Sequence, residues 1–111
     1  MIEEIKERLG ESEGKWVVKI KTKYGPLKIE EIVKNVFKNF KCINNYWSPY
    51  LNYGLLEICF DKKTVYIIWN IGDEEILEII ENENFDMNPI IDEISSANIE
   101  NSVLRLMRGQ F

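Results

Sequence analysis

The run Val65-Tyr66-Ile67-Ile68-Trp69 is apolar at every position, and Ile71 follows two residues on. Successive side chains of a strand point to opposite faces, so a strand built from this run has no face to offer to water. It needs cover on both sides. That requirement predicts a central strand, in a sheet with helices packed on at least one face. Just upstream, Leu56, Ile58 and Phe60 alternate with Leu55, Glu57 and Cys59, and Asp61-Lys62-Lys63-Thr64 has the composition of a turn. The two segments together predict a β-hairpin over Leu55–Ile71, with Trp69 in the core.

Periodicity supplies the remaining elements. Ile2, Ile5 and Leu9 recur at helical spacing among charges. Gly10 and Gly14 bracket a turn. In Lys15–Tyr24 the residues Trp16, Val18, Ile20, Thr22 and Tyr24 share one face, and Lys15, Val17, Lys19, Lys21 and Lys23 share the other. This is a strand with one buried and one lysine-rich face. Gly25-Pro26 then presets a helix, whose apolar series Ile29, Ile32, Val33, Val36, Phe37, Phe40 runs without a miss. Asn44–Gly54 mixes four aromatics with Asn, Ser, Pro and Gly, a composition that resists both helix and regular strand.

After Gly72, Asp73 can cap a helix over Glu74–Glu81, with a further strand as the alternative. Asn88-Pro89 starts another helix through Ile90, Ile91 and Ile94. The polar run Ser95-Ser96-Ala97-Asn98 interrupts it before Ile99, Val103, Leu104, Leu106 and Met107 resume the stripe, and Gly109 is placed as a C-terminal cap. A hairpin, one earlier strand and several helices make an α+β fold: a small, mainly antiparallel sheet packed by helices. At 111 residues, with no repeat and no linker composition, the chain fits one domain.

Chemistry is constrained by what is missing. The sequence contains no His, which removes the usual general base and the commonest transition-metal ligand. It carries no nucleophile motif and no glycine-rich phosphate loop, so it is read as a non-enzyme without cofactor or metal. No apolar run approaches a membrane span, and the charged opening Met1-Ile2-Glu3-Glu4-Ile5-Lys6 lacks the apolar core of a secretory signal. The expected location is cytoplasmic. There, Cys42 and Cys59, 17 residues apart, are expected as two small half-buried hydrophobes; a disulfide would require export.

The charge is carried unevenly. Asp73–Glu100 holds ten carboxylates and no Lys or Arg, whereas the rest of the chain is net basic, and the whole carries −5. A one-signed surface attracts cationic partners and repels nucleic acid. Against this stands the plainer reading of a solvated helix face, with repulsion relieved if the lysine face of the first strand lies alongside. A Ca²⁺ loop is not indicated, because Asp73-Glu74-Glu75 lacks the required ligand spacing. The lysine row could track phosphates, but Trp16 and Tyr24 point away from it, which favours a solvated or edge-protecting row. Tyr46-Trp47-Ser48-Pro49-Tyr50-Leu51-Asn52-Tyr53 has the side chains of recognition surfaces. It could equally fold back on the core through Trp47.

In length, α+β content, acidity, lack of His and richness in Lys, Ile and Asn, with the acidic tract Asp73–Glu100 and the aromatic loop Tyr46–Tyr53, the chain resembles the immunity proteins of bacterial toxin–immunity pairs, including those of contact-dependent growth inhibition. The resemblance is one of profile rather than motif. It implies a protein that binds a cognate toxin domain in the cytoplasm and covers its active or substrate-binding surface. A nuclease toxin is basic because it binds phosphates, so an acidic inhibitor suits it. The residues expected at the interface are Asp73, Glu74, Glu75, Glu78, Glu81, Glu83 and Asp86, with Tyr46 and Tyr50. The competing reading is a small acidic adaptor that binds a protein without inhibiting it. Oligomeric state is not legible.

Overall fold

The computed structural model describes residues 1–73, 75–81, 84 and 86–107, with the backbone alone for 75–77 and 98–107. The elements are α1 (Ile2–Leu9), β1 (Gly14–Thr22), α2 (Pro26–Val36), β2 (Cys42–Trp47), β3 (Tyr53–Cys59), β4 (Lys63–Ile71), β5 (Glu75–Glu81) and α3 (Asn88–Met107). The five strands form one open sheet in the order β2-β3-β4-β1-β5. Every neighbouring pair is antiparallel except β1 with β4. This is the expected α+β architecture, and the two-sided apolar strand β4 occupies its centre.

Both faces are covered. Ile2, Ile5 and Leu9 of α1, Ile29 and Val33 of α2, and Phe37 just past the end of α2 pack on one face, against Val18, Ile20, Leu56, Ile58, Val65, Ile67 and Trp69. Met87 and Ile94 close a second core on the other face, over Val17 and Leu55, with Ile90, Ile91 and Ile68 partly buried around them. Trp69 is buried as expected. α2 opens as its sequence dictates, with Gly25 extended ahead of Pro26 in the first turn.

Four expectations are corrected. Residues 75–81 form a strand, not a helix. The apolar residues Ile76 and Ile79 are three apart, as on a helix face. Glu78 pairs with Lys19 but Ile76 pairs with Ile20, so Leu77 is the extra residue of a β-bulge. The bulge brings Ile76 and Ile79 opposite Ile20 and Val18, two positions on one face of β1. A helix-like spacing is thus also the spacing of a bulged strand. Second, Asn44–Trp47 belongs to β2, where pairing with Leu55–Glu57 and Gly54 overrides the turn-like composition. Third, α3 runs unbroken through Ser95-Ser96-Ala97-Asn98; isolated small polar residues cost a helix only tenths of a kcal/mol, roughly 0.5 each. Fourth, Cys42 and Cys59 form a disulfide, joining directly opposed positions of β2 and β3 whose Cα atoms are 4.9 Å apart. The proposed cap at Gly109 lies outside the described residues.

Candidate interaction surface

β1, β4 and β2 run in the same direction, and β3 and β5 run back. Their polarity gathers three connections at one end of the sheet: Lys23–Gly25 between β1 and α2, Ser48–Asn52 between β2 and β3, and the turn at Gly72-Asp73. Backbone bonds tie these together. Ile71 N–H donates to Asn52 O at 2.8 Å and Gly72 N–H donates to Thr22 O at 2.8 Å. Asn45 Nδ2 donates to Pro26 O at 3.0 Å, fixing the start of α2 against β2.

Among the described residues, this end carries the large apolar side chains that are exposed to water. Leu27 is 71% exposed, Tyr50 48% and Ile71 47%. Asp73, also exposed, follows Ile71 by two residues, after Gly72. Single exposed apolar residues are ordinary, but several gathered at one end of a fold mark a contact surface. Tyr50 is held in its loop by its backbone N–H, which donates to Ser48 Oγ at 3.3 Å, and Ser48 is buried.

The acidic residues are distributed differently from the expectation. Glu78 faces Lys19 across β5 and β1, with Nζ 3.2 Å from Oε2, and Glu75 lies opposite Lys21 in register. The lysine face of β1 therefore does lie beside the acidic strand. It is not an edge row, because β1 sits between β4 and β5. Glu81 is exposed at the far end of β5, on the edge of the sheet. Asp86 is exposed but partly occupied, its Oδ1 accepting from Asn88 N–H at 2.9 Å where α3 begins. Glu74 and Glu83 lie outside the described residues.

The two expected tyrosines separate. Tyr50 stands at the exposed end, whereas Tyr46 is half-buried and packs into the core beneath α3. β2 and β5 are opposite edges of a five-stranded sheet, about 19 Å apart at the usual strand spacing. Tyr46 and the middle of the acidic strand therefore do not form one patch; Tyr50, Ile71 and Asp73 share the end of the sheet. Leu27 and Ile71 were not among the expected contact residues. Leu27 had left a signal, since it falls off the Ile29–Phe40 stripe. Ile71 had not, because strand alternation assigns it to the core.

Elsewhere the chemistry is modest. A cavity of about 240 Å³ between α1, β1 and α2 is walled by Ile2, Ile20, Ile29, Ile32 and Val36. Thr22 Oγ1 at its edge already accepts from Tyr24 N–H at 3.3 Å. On the α3 face, burial and then the hydrogen bond to Glu57 push the Tyr66 hydroxyl up to about 12. Tyr53 is likewise pushed up to about 12, by burial first and the Glu93 carboxylate of α3 second. Among the described residues, no helix is long and apolar enough to cross a membrane. Compared with protein-family models, curated proteins and solved structures, the chain matches none of them.

Proposed function

We propose that this protein is an immunity-type inhibitor, which binds a basic cognate toxin domain and neutralises it by covering its active or substrate-binding surface. The observation that carries the reading is the exposed end of the sheet, where Leu27, Tyr50 and Ile71 stand out of the core beside Asp73. An apolar centre with a charged rim is the usual anatomy of a protein–protein contact, and tyrosine is over-represented among its energetic anchors. Asp73 is the exposed carboxylate at that end, and the exposed Glu78 and Glu81 continue an acidic edge along β5 away from it. Such a field steers a basic partner and speeds encounter, which an inhibitor of a toxic enzyme needs. A phosphate-binding nuclease domain is the partner chemistry that the charge suits best.

The test is co-expression with the toxin domain encoded next to this protein, scored for cell survival and for co-purification. Protection together with a stable complex is the expected result, and both should fail with the pair Tyr50→Ala and Ile71→Asp. A complex without protection would instead support the adaptor reading.

A further inference from the structure

Glu57 lies two residues before Cys59 on β3, and Cys42 faces Cys59 across β2. Residues two apart on a strand stand side by side on one face, and the direct cross-strand partner supplies the third corner. Both Sγ atoms and a Glu57 carboxylate oxygen lie within 4.8 Å of one another. All three residues are half-buried. Asn44, opposite Glu57, donates from Nδ2 to Glu57 Oε1 at 2.8 Å and comes within 4.0 Å of Cys42 Sγ. The carboxylate is thus oriented by a neighbour, as metal-ligating carboxylates generally are. Among the described residues, this is the group of metal-ligating side chains that converges.

We propose that Cys42, Cys59 and Glu57 form a redox-gated site for a zinc-class divalent cation, closed as the disulfide and open as the dithiol. Opening consumes a dithiol reductant. Its two electrons cleave the S–S bond, its two protons pass to the Cys42 and Cys59 sulfurs, and it leaves as its own disulfide. Binding then displaces the two thiol protons, leaving two thiolates and a carboxylate around the ion. That donor set selects a borderline-soft cation over Mg²⁺ or Ca²⁺, which require oxygen ligands. Three protein ligands leave the fourth tetrahedral position to solvent. The ion would bridge β2 and β3 where the disulfide bridges them now. In a reducing compartment, where disulfides do not persist, edge strand β2 would keep its clamp. The inference does not depend on the partner proposed above.

The experiment uses the whole chain, reduced with a phosphine that is converted to its oxide, and titrated anaerobically with Co²⁺ as an optical probe. One equivalent should bind with thiolate-to-cobalt charge-transfer absorption, and Zn²⁺ should displace it. The oxidised chain should show no such absorption, and Cys42→Ser should lose most of it. Asn44→Ala should weaken binding about 10-fold, and Glu57→Gln should weaken it further while charge transfer persists. Far-UV circular dichroism follows the fold throughout. If reduction melts the sheet, stoichiometric Zn²⁺ should restore it. The proposal is overturned by a folded, reduced chain without charge transfer. It is equally overturned by a melted chain that Zn²⁺ does not refold, or by unchanged affinity in Glu57→Gln.

Discussion

Gly54 stands directly opposite Trp69 across β3 and β4, and the indole ring occupies the space that a Cβ at residue 54 would need. A Cβ there would lie 2.6 Å from Trp69 Cε2 and 2.8 Å from the Tyr46 carbonyl oxygen, both far inside contact distance. Trp69 is 1% exposed and packed within the core. Gly54→Ala should therefore cost about 1–3 kcal/mol, the range for overpacking a filled core. Urea denaturation would register this as a lower midpoint with an unchanged slope. A midpoint equal to that of the wild type would show that the ring can move.

The disulfide closes a loop across a sequence separation of 17 residues, through one edge strand. Constraining the unfolded chain over that length stabilises the fold by about 3 kcal/mol in the chain-entropy account. Metal-free reduction, or Cys42→Ala with Cys59→Ala, should lower stability by up to about that amount. Hydrogen exchange should rise first in β2, which has a neighbour on one side alone.

Tyr53 and Tyr66 both titrate near 12 in the folded chain, against an ordinary value of 10.0. Folded-state values above the unfolded ones mean that folding favours the neutral hydroxyls. The stability they contribute is complete below pH 10 and is lost as pH rises through about 12. Tyrosinate absorbance should show two late-titrating groups, and the melting temperature should fall across the same window. Tyr66→Phe should flatten part of that fall, and a pH profile identical to wild type would contradict the assignment.

The Lys19–Glu78 pair joins side chains that remain 39% and 49% exposed. Solvent screening limits such a pair to roughly 0–1 kcal/mol, so Glu78→Gln should barely move the melting temperature. Partner binding should respond differently. Reversing Glu75, Glu78 and Glu81 to Lys should slow association at low salt and matter far less at high salt. Equal association rates at every ionic strength would reduce the acidic strand to a solvated edge.

Tyr50→Ala and Ile71→Asp should weaken partner binding by about 2 kcal/mol or more where the side chain is an anchor, with little change in stability because both residues are already exposed. Isothermal titration and thermal melting on the same samples separate the two effects. Loss of binding that tracks loss of stability would place these residues in the fold rather than in the contact.

The sequence by itself determined the elements whose pattern admits one solution. The stripe beginning at Ile29 required a helix with one buried face, although α2 stops at Val36, one turn short of the Phe40 that the stripe reaches, and the two-sided apolar run Val65–Trp69 required a central strand. Tertiary structure decided where local pattern was ambiguous. Ile76 and Ile79 fit a helix face or a bulged strand equally well, and the choice came from pairing with β1, about 60 residues earlier. Cys42 and Cys59 carry no spacing signal, and their union follows from the register of β2 on β3. The contact surface was divided in the same way. One-signed charge was written in the sequence, but the grouping of Leu27, Tyr50 and Ile71 was not. They come from three segments far apart along the chain, and strand polarity, a long-range property, brings those segments to one end of the sheet.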